Sequence, residues 1–340
     1  MSAADMSSRA AALLRSATVC DLTLPWGPGY ANQDTILDRF RASGFGFVSL
    51  TVGLDRMSLE ATVRHIAAER ARFRRLAGDG IVFADSVADI RRAKAEGKLS
   101  VGFHFQGSNP LAGDTGMVDV YWQLGVRHML LAYNQRNMAA DGCHEPSDSG
   151  LSRYGRALVR EMNRVGMIVD CTHMGYRSTM DMIELSTTPV MFSHSNAHAL
   201  VAHDRNIRDD QIKACAVRGG IIGINGVGHF LAEDMKASPE VFVRHLDYMA
   251  EMVGPQHLAI GIDHVYYSDQ MAARRAANPD TFPRGYPRPG QQGSYLAPED
   301  LIGIVELMVA RGYTDADILG ILGENFLRYA DGIWKTGGTA

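Results

Sequence analysis

Residues 163–206 read NRVGMIVDCTHMGYRSTMDMIELSTTPVMFSHSNAHALVAHDRN, and this segment sets the expected fold. It contains two short apolar runs, Met167–Cys171 and Val190–Phe192, of the kind found in strands buried on both faces of a parallel sheet. Between them, the apolar residues of Tyr176–Ser186 recur at near-helical spacing, and Pro189 follows the helix. The pattern predicts a strand–helix–strand unit with parallel strands.

A histidine follows each of these two strands almost at once. His173 and His194 occupy equivalent points of consecutive strand–helix units, and side chains at the carboxyl ends of neighbouring parallel strands converge on one mouth. Neutral imidazole is the commonest protein ligand for transition metals, so the pair predicts half of a metal site. Histidines at strand ends also serve as hydrogen-bonded structural residues, and spacing alone does not choose between the two interpretations.

The same alternation extends along the whole chain. Eight strand patterns alternate with helical ones and no change of composition marks a linker, so the sequence predicts a single α/β domain, a (β/α)8 barrel of the TIM type. The predicted strands lie at 18–24, 45–51, 99–105, 127–133, 167–171, 189–192, 220–227 and 258–262. Within one domain spanning 1–340, residues 1–16 form an N-terminal extension. Residues 266–297, after strand eight, form a long loop without convincing periodicity, and two roles stay open for it: a cover over the mouth of the barrel or a subunit interface.

Composition and charge narrow the classes of function. Hydrophobic residues make up 46% of the 340 residues and charged residues 21%, as in globular proteins. A net charge of −4 gives no electrostatic reason to expect nucleic acid or an anionic membrane as a partner. The sequence shows neither a secretory signal nor a transmembrane stretch, and its four scattered cysteines suit a reducing compartment. We therefore expect a soluble cytoplasmic protein.

Polar side chains stand at the carboxyl end of almost every predicted strand. These candidate mouth residues are Asp21, Gln106, Tyr133, Asn134, His173, His194, Asn225, Asp263 and His264. Arg205, in the sequence HDRN, is placed either to bind a ligand carboxylate or to form a surface salt bridge. Asp263 is a candidate general base, with a structural capping role as the alternative. No serine or cysteine pairs convincingly with a histidine and no GxGxxG loop is present, so covalent catalysis and dinucleotide binding are unsupported.

Longer motifs occur in a defined order along the chain. They are YNQRN at 133–137, GLSRYGR at 150–156, EMNRVGMIVDCTH at 161–173, PVMFSHS at 189–195, HDRN at 203–206, GGIIGIN at 219–225, GIDH at 261–264 and GENFLR at 323–328. In this order they resemble the membrane (renal) dipeptidase family of metallopeptidases, over Thr18 to the C-terminus. The resemblance implies a fold similar to amidohydrolase-type barrels, hydrolysis of dipeptides and a two-zinc site.

The resemblance also implies roles for individual residues. His173 and His194 match the two family histidines that bind the second zinc. Arg205 matches the arginine that holds the carboxylate of the substrate, and Asp263 matches the acidic residue that assists proton transfer. Tyr133 stands where many members have a histidine that contacts the substrate, so Tyr133 and its neighbour Asn134 are candidate substrate-binding residues.

Two departures from the family pattern affect the first zinc. The HxD motif of the family's first strand aligns with Val19–Asp21, which keeps only the aspartate, and the bridging glutamate is replaced by Gln106. A carboxylate can neutralise and bridge two cations, whereas a neutral amide offers one weaker carbonyl oxygen. We therefore expect one zinc ion and a doubtful second site, with His173 and His194 as ligands helped by Asp21 and Gln106, or a site that has lost its metal.

These observations favour a metal-dependent hydrolase that cleaves the amide bond of a dipeptide or a similar small amide with metal-activated water. Two alternatives remain. The same barrel can act on another small amide, ester or lactone with one metal, or the chain can be a non-catalytic binding protein with a degenerate metal site. The expected partner is a small dipeptide-like molecule, and the sequence leaves a homodimer open.

Overall fold

Eight parallel strands close into a barrel, as the sequence predicts. A computed structural model describes residues 3–283, 285–287, 291 and 293–335 of the chain. In this part the strands are β1 Val19–Pro25, β2 Phe45–Leu54, β3 Ile81–Phe83, β4 Leu99–Gln106, β5 Val126–Leu130, β6 Ile168–Asp170, β7 Met191–Phe192, β8 Ile221–Asn225 and β9 Leu258–Gly261. Their hydrogen-bonded order is β2-β1-β9-β8-β7-β6-β5-β4-β3, and β2 also pairs with β4. This additional pairing closes a ring of eight strands and leaves β3 outside it.

The strand outside the ring, β3, is the one that the sequence did not predict. It pairs in parallel with the beginning of β4, from Ile81 opposite Leu99 to Phe83 opposite Val101. A run of three residues is too short for a period of two to be recognised. Its extended conformation is decided by the hydrogen bonds that β4 offers, so only the assembled sheet reveals it.

Helices alternate with the strands and cover the outside of the barrel. In the described part they are α1 Ala3–Ser16, α2 Gln33–Ala42, α3 Leu59–Leu76, α4 Val87–Ala95, α5 Met117–Gln123, α6 Arg153–Val165, α7 Tyr176–Leu185, α8 Asp209–Val217, α9 Gly228–Leu231, α10 Pro239–Val253, α11 Ser268–Ala277, α12 Leu301–Ala310, α13 Asp315–Leu319 and α14 Asn325–Asp331. Short 3-10 turns lie at Ala77–Asp79, Asn109–Leu111, Pro255–His257 and Pro298–Asp300, and a π-helical turn at Gly320–Glu324. None of the helices described is both long and apolar enough to cross a lipid bilayer.

Hydroxyl side chains fix the beginnings of several helices. In each case the oxygen accepts a hydrogen bond from the backbone N–H three residues later, and the capping residues are Ser58, Ser86, Ser152, Ser238 and Thr314. The first N–H groups of a helix have no partner within the helix, so a cap of this kind stabilises the first turn by about 1 kcal/mol. The caps are local in sequence and set where these helices begin.

Two apolar clusters hold the strands and helices together. The larger fills the layer between them and includes Phe103, Leu158 and Leu246. The smaller joins the beginnings of the strands to α14, where Phe326 stacks on Phe47 with ring centroids 5.7 Å apart. Because α14 packs at the amino-terminal end of the strands, the opposite end, where the strands finish, is the one available for a site.

The predicted N-terminal extension is part of the folded domain. It forms α1, which packs against α12 and buries Ala10 and Leu13. Oγ of Ser7 donates a hydrogen bond of 2.6 Å to the carboxylate of Glu306. The amphipathic spacing of its buried residues therefore attaches this helix to the barrel.

The loop predicted over 266–297 contains a helix, which corrects that prediction. α11 occupies Ser268–Ala277, with the sequence SDQMAARRAA. Alanine and arginine have high helix propensity, and Met271 and Arg275, four residues apart, are both buried against the barrel. Residues 284, 288–290 and 292 of the predicted loop lie outside the described residues, as do residues 1, 2 and 336–340 of the predicted domain.

Candidate metal and substrate site

The strands finish at one opening, and most of the predicted site residues lie there. Gln106 ends β4, Tyr133 follows β5 and Asp263 follows β9. Together with His173 they line a narrow cavity of about 40 Å³. A water molecule needs roughly 10–15 Å³ of such space, so the cavity holds a few water molecules and is too small for a dipeptide. Binding of a substrate of that size therefore requires the residues above the cavity to move.

His173 and His194 come together at this opening. Their Nε2 atoms lie 3.0 Å apart, and the rings meet edge to face with centroids 5.0 Å apart. Burial, aided by the charge of Arg205, lowers the pKa of both imidazoles well below the usual range. Both rings are therefore neutral, which is the form of histidine that binds a metal ion.

Asn134 sets the tautomer of His173. Its Nδ2 donates to the carbonyl of Thr281 at 3.0 Å, which leaves Oδ1 facing the imidazole. This Oδ1 lies 2.6 Å from Nδ1 of His173. An amide oxygen can only accept, so Nδ1 carries the proton and Nε2 of His173 presents its lone pair toward His194. Hydrogen bonds of this kind orient the histidine ligands of metal sites.

Two hydroxyl groups hold His194 from its other side. Oγ1 of Thr23 and Oγ of Ser193 lie 3.0 and 2.8 Å from Nδ1 of His194. A hydroxyl both donates and accepts, so it satisfies Nδ1 in either tautomer. With the proton on Nε2, His194 donates to His173; with the proton on Nδ1, the lone pairs of both Nε2 atoms face the same point. The second arrangement fits one metal ion between the two rings.

Three site residues have left-handed backbone conformations. Asn134, His173 and Asp263 have φ angles of 61°, 67° and 52°, in a region that residues other than glycine rarely adopt. Such conformations cost about 1–3 kcal/mol each and persist where the surrounding structure enforces them, most often at functional sites. Three of the six non-glycine residues with positive φ in the described part of the chain are therefore positions that the strand ends indicate.

Asp263 lines the cavity. It accepts a hydrogen bond of 3.4 Å from Nδ2 of Asn225. Burial raises the pKa of Asp263 to about 7, and the charges of Arg205 and Arg275 oppose this rise. A carboxyl group with that pKa exchanges its proton near neutral pH, as a general base requires.

Arg205 lies beside the two histidines, in the loop after β7. Its Nη2 donates to the carbonyl of His194 at 3.2 Å, and its guanidinium lies 5.2 Å from the ring centroid of Phe230. Only 3% of the side chain is exposed, and its Nε has no hydrogen-bond partner among the described residues. A surface salt bridge, one of the two predicted roles, does not fit this buried position. A buried guanidinium with an unused donor fits an anionic ligand.

Asp21 and Gln106, the other predicted metal ligands, have different surroundings. Oδ1 of Asp21 accepts hydrogen bonds from the N–H groups of Ile262 and Thr23 at 3.0 and 3.4 Å. Burial raises the pKa of Asp21 well above its usual value, so this carboxyl group favours the neutral form. Gln106 lines the same cavity as His173. Within the described part of the chain, no three His, Cys, Asp or Glu side chains are grouped closely enough to hold a metal ion.

A chain of hydrogen-bonded side chains fills the barrel beneath the site. Oγ of Ser49 lies 2.9 Å from both Nδ1 of His104 and Nε2 of His128, whose rings stack with centroids 4.3 Å apart. Nδ1 of His128 lies 3.3 Å from Oδ2 of Asp170. Burial opposes ionisation of Asp170, but the interactions with His128, His194 and Ser193 together outweigh it and lower the pKa. The Asp170 carboxylate accepts from the N–H of Ser193, which links the barrel interior to the histidine pair.

Residues 268–283 and 285–287, here named the cover segment, lie over the opening. The ring of Phe282 meets that of Tyr133 at a centroid distance of 6.5 Å. The hydroxyl of Tyr286 lies 3.3 Å from Nδ2 of Asn134 and 3.0 Å from Nε2 of His144. The cover segment therefore contacts the site residues Tyr133 and Asn134 from above.

The sequence analysis left two roles open for residues 266–297, a cover over the mouth or a subunit interface, and it did not identify Thr23 or Ser193 as part of the site. Strand alternation was an available signal for Thr23, since it stands two residues after Asp21 on the same face of β1. Ser193 directly precedes His194, but nothing local shows that its hydroxyl turns toward Nδ1. The aromatic residues of the cover segment reach the site only through the fold of a long connection.

The comparisons with known proteins agree with this geometry. A family model described as membrane dipeptidase (peptidase family M19) matches residues 31–272. The chain belongs to the membrane dipeptidase family. The resemblance drawn from its motifs is thereby confirmed, and a metal cofactor is implied by membership of this metallopeptidase family.

Curated relatives of this membrane dipeptidase family member include two fungal proteins. Dipeptidase tcpJ of Claviceps purpurea is 34% identical over 195 residues, which are 56% of this chain and 46% of that protein. Dipeptidase aclJ of Aspergillus oryzae is 30% identical over 256 residues, which are 74% of this chain and 56% of that protein. The chain thus spans about half the length of the curated relatives it matches.

Solved structures confirm the barrel of this family member over nearly its whole length. An amidohydrolase from Pseudomonas aeruginosa has a TM-score of 0.85 and 28% identity, covering 96% of this chain and 99% of that one. A metallo peptidase from Rhodobacter sphaeroides, liganded with a phosphinate mimic of the dipeptide L-Ala-D-Ala, has a TM-score of 0.76 and 20% identity, covering 94% and 99%. At 20% identity, the similarity to the Rhodobacter sphaeroides structure supports the shared fold alone.

Proposed function

We propose that this chain hydrolyses the amide bond of a dipeptide or a closely similar small amide and depends on one bound metal ion. The observation that carries the proposal is the pair His173 and His194, with Nε2 atoms 3.0 Å apart, next to Asp263 and Arg205 at the mouth of the barrel. Membership of the membrane dipeptidase family supports the reaction class.

The donor set favours one ion rather than two. His173 and His194 supply two neutral imidazole nitrogens, and imidazole suits zinc among the common biological metals. Asp21 and Gln106 offer a carboxyl group that favours its neutral form and an uncharged amide. We propose zinc for the ion at the histidine pair, with Asp21 and Gln106 as weaker helpers. A bound divalent ion would supply the Lewis acidity that lowers the pKa of water and polarises the carbonyl of the substrate.

The side chains of this protein bind and orient the substrate. The Arg205 guanidinium has an unused donor near the histidine pair, so it holds the carboxylate of the dipeptide. Tyr133 stacks on His173 with ring centroids 4.1 Å apart and lines the cavity beside Gln106, where it forms one wall of the substrate position. Asn134 acts through His173 by holding its Nδ1 proton. It is therefore a positioning residue rather than a direct substrate ligand.

Asp263 moves the proton in this proposal. Its carboxylate accepts a proton from water as the amide carbon is attacked and then delivers it to the leaving amine. The pKa of Asp263 is raised to about 7 by burial, which lets the group perform both steps near neutral pH. The cover segment excludes bulk water from the cavity, so the charges around Asp263 act at low dielectric.

The partners and compartment of the protein stay predictions. The small-molecule substrate is a dipeptide under this proposal, and the open question of a homodimer is unchanged. A reducing compartment, the cytoplasm, is supported by the four cysteines, all of which are free.

The experiment that tests the function measures release of amino acids from a panel of dipeptides by chromatography. We expect turnover by the purified protein, loss of turnover after chelation, and recovery when zinc is restored. A variant with both His173→Ala and His194→Ala should show no turnover under any metal. Turnover that survives both chelation and the double substitution would contradict a metal-dependent hydrolase. Tight binding of dipeptides without turnover would favour a binding protein.

A further inference from the structure

Three arginines surround the candidate site, although the family resemblance assigns a role to Arg205 alone. Arg274 and Arg275, both on α11 of the cover segment, line the same cavity as His173 and Asp263. Arg205 and Arg275 lower the pKa of Asp263, and Arg205 and Arg274 lower that of His173. All three guanidinium groups therefore contribute positive charge to one small volume.

These arginines have hydrogen-bond partners but, among the described residues, no counterions. Nη2 of Arg205 donates to a backbone carbonyl at 3.2 Å. Nη1 of Arg274 donates to the hydroxyl of Tyr30 at 3.3 Å, and Nη1 of Arg275 to that of Tyr295 at 3.1 Å. In the part of the chain described, none of the three forms an ion pair with an Asp or Glu side chain. Nε of Arg205 and Nε of Arg275 are buried without any partner there.

Buried positive charge of this kind normally has a negative partner, because removing a charge from water is costly unless it is paired. Asp263 lines this cavity and Asp21 is close enough to feel its charge, while Asp269 and Asp55 line adjoining cavities with Arg275 and Arg274. Burial raises the pKa of Asp263 to about 7 and that of Asp21 well above its usual value. The carboxyl groups of Asp263 and Asp21 therefore neutralise at most part of the positive charge of the three arginines. One carboxylate of a dipeptide would satisfy Arg205 and leave Arg274 and Arg275 without a counterion.

His229, close to Arg275, also has unused hydrogen-bonding atoms. Only 3% of this side chain is exposed, and both of its ring nitrogens lack a hydrogen-bond partner among the described residues. Its ring centroid lies 5.0 Å from that of Tyr286, and the guanidinium of Arg275 lies 5.5 Å from the same tyrosine ring. Arg275 and His229 therefore lie against the same tyrosine ring, and both have nitrogen atoms that no described residue uses.

We propose that Arg275, supported by the charge of Arg274, forms a second anion-binding subsite, so that the preferred substrate is a dipeptide with a side-chain carboxylate on its C-terminal residue. This inference rests on the proposed function and deepens it. We assign the carboxylate to the C-terminal residue because the two guanidinium groups lie near the same residues. The charges of Arg275 and Arg205 both lower the pKa of Asp263 and of His229. The two carboxylates of an aspartyl or glutamyl residue are likewise adjacent.

A purely structural role for Arg275 makes a different prediction. Its contacts with Tyr286 and Tyr295 could serve only to hold the cover segment in place. Substitution would then weaken turnover of acidic and neutral dipeptides to the same extent. The ratio of kcat/KM for an acidic dipeptide to that for its neutral amide counterpart separates the two roles, because it cancels any general loss of structure.

The test compares Ala-Asp with Ala-Asn, and Ala-Glu with Ala-Gln, since each pair differs by a carboxylate against an amide of the same shape. A charge-assisted contact to a buried arginine predicts a kcat/KM ratio of about 10- to 100-fold in favour of the acid. The ratio should fall close to one in Arg275→Gln and partly in Arg274→Gln. Arg64→Gln, on the exposed face of α3, is the matched control and should keep the ratio of the unmodified protein.

Either of two results overturns the subsite: a ratio near one in the unmodified protein, or an unchanged ratio in Arg275→Gln. A preference confined to Asp-Ala over Asn-Ala would overturn its assignment to the C-terminal residue. Titration calorimetry of Ala-Asp and Ala-Asn separates this inference from the proposed function. If no dipeptide is cleaved, the hydrolase fails while tighter binding of Ala-Asp still supports the subsite. Equal or absent binding of both, without turnover, overturns it.

Discussion

The Nε2 atoms of His173 and His194 lie 3.0 Å apart, while the other nitrogen of each ring is held by uncharged side chains. Their partners, an amide oxygen and two hydroxyls, keep the rings neutral without blocking the atoms that face one another. The strands β6 and β7 deliver the two residues to neighbouring positions of one barrel mouth. Under the proposed function this arrangement offers two nitrogen atoms to a cation, and it underlies the first two predictions.

Purified protein should carry one zinc or similar divalent ion for each chain, measured by elemental mass spectrometry without added metal. His173→Ala and His194→Ala should each abolish this content, because the remaining imidazole offers a single nitrogen. His257→Ala, at the opposite end of the barrel before β9, is the control and should retain the ion. Two ions for each chain would show that Asp21 and Gln106 complete a second site.

Asn134→Ala should weaken metal binding by about 10- to 100-fold, because Nδ1 of His173 loses the acceptor that fixes its tautomer. The measurement is a competition titration with a chromophoric chelator. Asn134 also has a left-handed backbone, which alanine tolerates less well. Asn32→Ala is therefore the matched control, since Asn32 has φ of 62° and lies outside the site. Equal metal affinity in Asn134→Ala and Asn32→Ala would contradict the positioning role of Asn134.

Asp263→Asn should lower kcat by about 10²- to 10⁴-fold, with a smaller change in KM, because the amide cannot accept the proton. The pKa of Asp263 is raised to about 7, so kcat/KM of the unmodified protein should fall as pH drops below that value. This acidic limb should be absent from the residual activity of the variant. Glu184→Gln, an exposed residue of α7, should match the unmodified protein. An acidic limb that persists in Asp263→Asn would assign it to another group.

The same substitution should stabilise the fold at alkaline pH. Between pH 4 and 7 the folded protein holds the Asp263 proton more tightly than the unfolded chain does, because the folded-state pKa is raised to about 7 from 3.8. The free energy of unfolding therefore falls as pH rises through this window. At pH 8, Asp263→Asn should gain on the order of 1–3 kcal/mol in urea unfolding. At pH 4 the gain should vanish, and a gain of equal size at both pH values would contradict the linkage.

Gly261→Ala should disturb the site from a distance. A Cβ at this position of β9 would collide with the carbonyl oxygen of Ser193 and press on Cβ of His194. Displacing that backbone should cost about 1–3 kcal/mol in urea unfolding and reduce metal affinity. Gly78→Ala is the control, because a Cβ at Gly78 meets no atom within 4 Å. Unaltered metal affinity in Gly261→Ala would show that His194 does not depend on this close approach.

Local patterns accounted for most of the fold. The buried apolar runs of Met167–Cys171 and Val190–Phe192 are too long and too branched for surface loops, and the helical period between them leaves one arrangement that buries both. The strand β3 and the helix α11 escaped this reasoning. The strand β3 is too short to show a period. The ten residues of α11 favour a helix, but they lie in a segment whose Pro and Gly residues are typical of a loop.

The sequence by itself determined the barrel, the two histidines at strand ends and the family, because these depend on spacing within single strand–helix units. Only the tertiary structure decided how the site is supported. Thr23 reaches His194 across 171 positions of the chain, and Arg275 comes to the cavity with a helix packed over the mouth. Such contacts depend on the closure of the ring of strands and on the burial of charge. No local sequence pattern predicts them, because the distance between two side chains is set by all the strands that lie between them.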